Sequence, residues 1–409
     1  MTNNILAVAG GGAAGFFAAI NAARFHPNLK VIIFERGRKV LSKVRISGGG
    51  RCNVTHDCFD PEVFSNAYPR GQKELRWAFE QFQANDTVSW FEQRGIELKT
   101  ESDGRMFPTT DDSATIIKAL KSEAREQDVE VQTKTAVKAI EPLAEGGYRL
   151  RIRNHPSVTA NSVIIATGGS NRSNRYDWLR NLGHSIVHPV PSLFTFNFRN
   201  QAFEDLAGIS VENASVAIKG THFRHSGPIL ITHWGLSGPA VLKTSAWAAR
   251  YLNTKNYRFT ITVNWVHPLN EKQIRSRLKK LRDANAPKQV DKQDQFPLPN
   301  RLWKRLLKLT EINTQQRWAE LSNKQIHLLT QSLGNAHYKI EGKTTYKDEF
   351  VTSGGLPLEE INMATMESKR CPNIYFAGEV LNIDGITGGF NFQSAWTTGW
   401  IAAKAISRP

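Results

Sequence analysis

Apolar positions open the chain as two short runs. Ile5-Leu6-Ala7-Val8-Ala9 leads into glycines and an uncharged stretch reaching Ala23, and Val31-Ile32-Ile33-Phe34 closes on Glu35. Short runs flanking a longer apolar stretch predict strand, helix, strand. Residues 37–61, rich in Gly, Ser, Arg and Asn, predict a long functional loop. Residues 73–94 carry Trp77, Phe79, Phe82, Val88, Trp90 and Phe91 at helical spacing, with Gly95 as the stop. A second helix is expected over 113–127. Apolar runs at 129–132, 136–140, 148–153 and 162–166 predict strands, the last ending in Ala166-Thr167-Gly168-Gly169.

From 193 the pattern changes. Short alternating runs such as those at 195–198, 214–218, 229–232 and 259–263 predict a strand-rich region over 193–266. Residues 271–332 are helical and basic, interrupted at 284–300 by a Pro/Gln/Asp stretch expected to be an exposed linker. From 350 the chain turns glycine-rich and β-like, then gives a strand at 373–377, a loop at 378–389 and a helix at 392–406. The two ends read as pieces of one domain. The expected organisation is a cofactor domain in two parts, 1–192 and 346–409, split by a strand-rich insertion (193–266) and a basic helical one (267–345).

The glycines after the first run are Gly10, Gly12 and Gly15, and Glu35 follows Gly15 by twenty residues. This is a dinucleotide fingerprint in its working context. The first glycine allows a tight turn, the second lets backbone approach a pyrophosphate, and the third lets helix and strand pack closely. The helix start offers N–H groups and partial positive charge to the phosphates, and the acid can accept from a ribose. A glycine turn with no ligand is the competing reading, and both flanking strands plus the acid argue against it. Fingerprint and acid suit NAD and FAD equally. The apolar strand ending in Ala166-Thr167-Gly168 and the one ending in Gly378-Glu379 tip the choice. With the fingerprint they resemble the motif set of flavoproteins that bind FAD in extended form. That resemblance implies a glycine–acid pair at the ribityl and pyrophosphate region, and a following helix, begun by Gly388-Gly389-Phe390-Asn391, aimed at the isoalloxazine. No second G-x-G-x-x-G is present, so a nicotinamide donor is expected to visit the flavin directly.

The loop Lys43-Val-Arg-Ile-Ser47-Gly48-Gly49-Gly50-Arg51-Cys52-Asn53 adds donors suited to phosphate or to a flavin edge. Cys52 and Cys58 are spaced C-x5-C, one residue longer than the C-x4-C of disulfide-reductase flavoproteins. On a helix that slip turns a side chain by about 100°. Cys52 is therefore expected to pack rather than react, and Cys371 to be structural. Three cysteines fit a reducing cytoplasm. They and the eleven histidines show no metal spacing. The uncharged 5–23 stretch is no membrane span, because glycines interrupt it and no Lys or Arg precedes it.

Charge changes the picture more than composition does. The 409 residues carry a net charge of +16, and 271–308 hold twelve Lys/Arg against four Asp/Glu, half of that excess in under a tenth of the chain. Such a patch raises the expectation of a polyanionic partner.

Taken together, the opening Gly10-Gly11-Gly12-Ala13-Ala14-Gly15, Ser47-Gly-Gly-Gly-Arg-Cys-Asn53, the Ala-Thr-Gly-Gly strand end, Leu236-Ser-Gly-Pro239, Val351-Thr-Ser-Gly-Gly355, Gly378-Glu-Val-Leu-Asn-Ile-Asp384-Gly385 and Gly388-Gly-Phe-Asn-Phe-Gln393 resemble the BaiN/RdsA family of FAD-dependent oxidoreductases over nearly the full length. The resemblance implies an α/β fold, a Rossmann-type FAD-binding domain split by a strand-rich and helical insertion. It implies noncovalent FAD held by the glycine loop, Glu35, Asp384 and Gly388-Gly389. The candidate cofactor set is Gly10, Gly12, Ala13, Ala14, Gly15, Glu35, Arg36, Lys43, Ser47, Gly48, Gly49, Arg51, Cys52, Asn53, Ala166, Thr167, Gly168, Gly378, Glu379, Asp384, Gly388, Gly389, Phe390 and Asn391. Asn382 and Phe390 depart from the Asp and Tyr frequent in such proteins.

Members are linked to reduction of C=C bonds, to amine oxidation and to dihydrouridine in large-subunit ribosomal RNA. The leading expectation is an NAD(P)H-driven reductase of a conjugated C=C, a uracil of ribosomal RNA being favoured by the charge. Trp303, among Arg301, Lys304 and Arg305, either stacks a base beside a phosphate grip or sits in the core with Leu306, Leu307 and Leu309. The alternatives are a peroxide-releasing amine oxidase and a non-catalytic RNA-binding factor that keeps FAD. No catalytic acid is assigned. Cys52, His233 and Tyr346 qualify by residue type, His233 equally as a structural residue.

Overall fold

The computed structural model describes residues 4–199, 203–293, 295–344 and 351–406. Contacts divide the chain into two units, 1–192 with 347–409, and 193–346.

The first unit is built on a seven-stranded sheet. Its order is Ile361–Asn362, Glu367–Ser368, Ile374–Phe376, Ser162–Ile165, Ile5–Ala9, Lys30–Glu35, Glu130–Thr133. The last five are parallel, and the first two form an antiparallel edge. From Ile5–Ala9 the chain winds outward through Lys30–Glu35 to Glu130–Thr133, while Ser162–Ile165 and Ile374–Phe376 lie on the other side. The order thus reverses beside the first strand, and a crevice opens beyond the strand C-termini at such a switch point. The expected Rossmann-type α/β fold is therefore present.

Helix Ala13–Phe25 is buried from Ala14 to Ala23 on every side. A helix with no polar face must be covered all round, and Phe390–Ala405 supplies the second cover. Gly399 makes this possible, because a Cβ there would stand 2.9 Å from Ala14 O.

Several elements differ from expectation. The single helix over 73–94 is two, Gln72–Gln81 and Ala84–Glu92. Phe82 is extended, and Asp86 accepts from Gln83 N (2.7 Å) at the start of a new helix. The 37–61 loop contains helix Ser42–Ile46, a turn at Ser47–Gly50 and strand Thr55–His56. The final helix starts at Phe390, two residues early.

The second unit is a closed barrel of six strands, in the order Thr195–Phe198, Gly235–Ser237, Arg224–Thr232, Ser210–Ile218, Arg258–Asn264, Ala336–Thr344. Helices Glu271–Ala284, Asn300–Leu309 and Asn323–Gly334 separate its last two strands in sequence. Asn270 and Ser322 begin two of them with capping boxes to Gln273 and Gln325. The 284–300 stretch is not simply an exposed linker. Val290 and Phe296 are buried in it, and Phe296 stacks on Trp303 at 6.2 Å.

Candidate functional site

Three strand ends distant in sequence stand side by side at the sheet's C-terminal edge. Ala166 N donates to Ala9 O (2.8 Å), and Ala377 N to Ile165 O (3.0 Å). This aligns Gly10, Ala166-Thr167-Gly168 and Gly378. The glycines divide into two kinds. A Cβ on Gly10 would lie 2.3 Å from Ala166 O, and one on Gly15 1.9 Å from Gly10 O, so both make backbone contacts that no side chain permits. Gly12, Gly49, Gly50 and Gly168 instead have nothing within 4 Å of that position.

Helix Ala13–Phe25 starts at Gly12 with no side-chain cap and no acid in its first turn, leaving its N–H groups and positive end for an anion. Glu35 holds the fingerprint turn, accepting from Gly11 N (2.8 Å) and Gly37 N (2.6 Å). Arg36 is exposed. Burial lowers the Arg175 pKa, and repulsion from Arg36 and Arg172 adds to it, so three guanidinium groups share one neighbourhood.

The 43–53 loop reaches the same edge in part. Lys43 Nζ pairs with Glu379 Oε2 (2.7 Å), while Glu379 Oε1 accepts from Thr352 N (2.8 Å). Thr352 Oγ1 is buried and has no partner among the described residues. Ser47 Oγ donates to Val44 O (2.9 Å), and Ser47 O accepts from Cys52 N (3.0 Å). Two candidates are engaged within the protein. The Arg51 guanidinium pairs with Glu101 (2.6 Å) and lies 4.0 Å from the centroid of the Phe107 ring, which itself packs beside Gly48. Cys52 is fully buried, and burial pushes its thiol up to about 12, so it stays protonated rather than forming a reactive thiolate. All three cysteines are free.

The start of the final helix is braced by the candidates Asn53, Asp384 and Asn391 and by His56, Tyr68 and Arg70, which the sequence does not single out. With its amide oriented to satisfy both ends, Asn53 accepts from Gly389 N (2.9 Å) and donates to Thr55 O (2.9 Å). His56 Nδ1 donates to Gly388 O (3.0 Å), and its ring stacks on Phe390 at 4.6 Å. Tyr68 donates from its hydroxyl to Phe390 O (2.6 Å). The Asn391 side chain bonds both Gly385 N and Gly385 O (2.9 Å each). Asp384 is fully buried; its carboxylate accepts from Arg70 in a two-pronged pair and from Ser192 Oγ (2.7 Å). The Asp384 side chain therefore fixes the loop and is not presented to a ligand. The helix it precedes has no side-chain cap and no acid in its first turn.

Of the remaining candidates, His233 is exposed in a barrel turn, and Tyr346 lies outside the described residues. Trp303 is fully buried and donates from Nε1 to Val290 O (2.8 Å), which excludes base stacking; Leu309, expected in the core, is half exposed. Among the described residues no cluster could hold a metal, and no helix is long and apolar enough to cross a membrane.

Residues 4–405 match the family described as HI0933-like protein Rossmann domain. The chain belongs to this family. Its relatives include the 3-dehydro-bile acid delta(4,6)-reductase of Clostridium scindens, 28% identical over 99% of each chain. Ribosomal RNA dihydrouridine synthase of Escherichia coli is 29% identical, over 98% of this chain and 97% of that protein. The fold is similar to a 3-ketosteroid-delta4-(5alpha)-dehydrogenase from Rhodococcus jostii RHA1, with a TM-score of 0.52 at 12% identity, covering 100% of this chain and 98% of that one. A flavocytochrome c3 fumarate reductase gives 0.51 at 16%, covering 99% and 78%. HI0933-like proteins are FAD-dependent oxidoreductases, and this chain is one by membership.

Proposed function

We propose that this protein reduces a conjugated C=C bond with electrons from NAD(P)H, and that its acceptor is a uracil of large-subunit ribosomal RNA, giving dihydrouridine in the cytoplasm. The observation that carries the reading is the meeting of three glycine-bearing strand ends beside two uncapped helix starts.

The residues fit FAD. Gly12, Gly49 and Gly168 leave open space where a side chain would begin, and an unpartnered Thr352 hydroxyl is buried beside Glu379. When bound, FAD supplies two-electron redox chemistry. Glu35, whose carboxylate oxygens each keep a further acceptor site beside Gly11 N and Gly37 N, would accept from a ribose. Gly12, Ala13 and Ala14 offer main-chain N–H groups to the pyrophosphate. Lys43, Ser47, Gly48, Gly49 and Glu379 would hold the ribityl region, and Gly388 to Asn391 would offer a positive helix end to the ring system. That end favours negative charge, so it aids electron acceptance. Asn53, His56, Tyr68 and the Arg70–Asp384 pair hold this helix start in place.

Two synthases among the relatives, together with the net charge of +16, support RNA over a small acceptor. The test is nucleoside mass spectrometry of ribosomal RNA from a strain lacking the protein. A dihydrouridine should disappear, and return with the wild-type gene but not with Gly12→Asp. An unchanged level, with no second enzyme making the same mark, rejects the RNA acceptor and leaves a small unsaturated one.

A further inference from the structure

Helix Glu271–Ala284 buries Ile274, Leu278 and Leu281 and turns a basic face outward. Lys272, Arg275 and Lys279 fall at i, i+3 and i+7, within one third of the helix circumference, and Lys280 flanks them. All four are exposed, and none has an ion pair among the described residues. Like charges at this spacing repel and cost stability unless a counter-charge arrives.

The neighbouring helix Asn300–Leu309 is different. Arg301 and Arg305 are tied to Asp205, by its carbonyl and its carboxylate, and Lys304 stands 3.6 Å from Asp291. Its aromatic residue, Trp303, is sealed in the core. The basic segment therefore holds two helices of similar composition, one with three of its four cations engaged by the fold and one whose outward Lys272, Arg275, Lys279 and Lys280 have no ion pair among the described residues.

We infer that the outer face of Glu271–Ala284, through Lys272, Arg275, Lys279 and Lys280, is a docking surface for the phosphodiester backbone of RNA. The choice of partner rests on the RNA reading above. The face carries no large apolar side chain, because Ile274, Leu278 and Leu281 are all buried. It lacks the exposed apolar stripe by which an amphipathic helix enters a bilayer. Flexible lysines with no aromatic neighbour suit phosphates rather than base edges, so binding through this face should be sequence-tolerant and salt-dependent.

The test is binding of deproteinised large-subunit ribosomal RNA to the FAD-loaded protein across a salt series. Compared with wild type are K272Q/R275Q/K279Q, K272E/R275E/K279E, and K304Q/K308Q on the neighbouring helix. The first variant should bind at least tenfold more weakly, with a log–log salt slope shallower by about 2 to 3. The glutamate variant should bind weaker still, and the control should stay within about twofold of wild type. The glutamine variants should melt at or slightly above the wild-type temperature, since the substituted positions are exposed and like-charge repulsion is relieved, and the glutamate variant should stay folded. Wild-type affinity in the glutamine variant overturns the inference and leaves the RNA reading standing. No RNA binding by wild type overturns both, as does binding to phosphatidylserine vesicles in its place. Binding lost in the triple variants, in a protein whose deletion leaves dihydrouridine unchanged, supports the surface and rejects the proposed reaction.

Discussion

Gly12 and Gly15 are three residues apart and answer to opposite demands. A methyl group on Gly15 meets Gly10 O at 1.9 Å, so Gly15→Ala should force helix from strand and destabilise by about 1–3 kcal/mol. Gly12 has a φ of −91° and open space at its Cβ position, so Gly12→Ala should melt like wild type. Gly12→Ala should nevertheless bind FAD at least tenfold more weakly, by narrowing the approach to the pyrophosphate. Thermal melting of the apoprotein with FAD titration separates the two.

Glu360 gives a second prediction at this scale. Burial pushes its carboxyl up, but hydrogen bonds from Ser185, Arg370 and His184 outweigh this and hold it down at about 2. The folded value is thus depressed. Its stabilising contribution is complete above the unfolded pKa near 4.5 and is lost as pH falls through 2. A melting series from pH 6 to 2 should therefore decline in wild type and flatten in Glu360→Gln. The same scale marks how much the chain discloses of itself. Gly10, Gly12, Gly15 and Glu35 are legible because their chemistry depends on local spacing. His56, Tyr68 and Arg70 are not, because their partners lie 332, 322 and 314 residues away and no local pattern encodes them.

Among the elements, the loop before the final helix depends on one buried ion pair. The Arg70 side chain is 12% exposed and that of Asp384 is fully buried. Removing one partner strands the other charge, so Arg70→Met should cost about 3–5 kcal/mol. Arg70→Met/Asp384→Leu should recover part of it while still binding FAD poorly, because the loop has lost its brace. Denaturant midpoints and flavin titration read both effects. The element pattern is legible where periodicity is long and unbroken, as in Ser113–Glu126 and the strand-rich barrel region. It misleads where a local contact overrides it: apolar spacing runs through Phe82, while the bond from Gln83 N to Asp86 starts a separate helix. Likewise the polar composition of 284–300 conceals Val290 and Phe296, two apolar residues sufficient to anchor the stretch.

At the scale of the molecule, each unit closes on itself where the chain passes between them. Ser192 pairs with Val351 at the end of an antiparallel ladder in the first unit, and Thr195 pairs with Thr344 in the barrel. Residues 193–350 should thus be replaceable by a two-residue Asn-Gly turn matched to that ladder. The shortened protein should keep the far-ultraviolet signature of the first unit and bind FAD, since the Rossmann strands, the glycine loops and their braces all lie in it. Loss of folding on excision would show that the barrel supports the sheet. The fold class is legible from the two chain ends, whose motifs need each other. The barrel's closure is not, because closure depends on pairings between strands far apart in sequence.

The sheet order also sets a timetable. Strand Ile374–Phe376 lies directly beside Ser162–Ile165, yet the ribosome makes it after the whole barrel unit. At about 5–20 residues per second, roughly ten to forty seconds separate the two strands during synthesis. In that interval the nascent first unit has its fingerprint but neither its neighbouring strand nor its closing helix. The barrel can be complete before the nucleotide fold is, and the FAD site is whole only once the closing helix has emerged and packed.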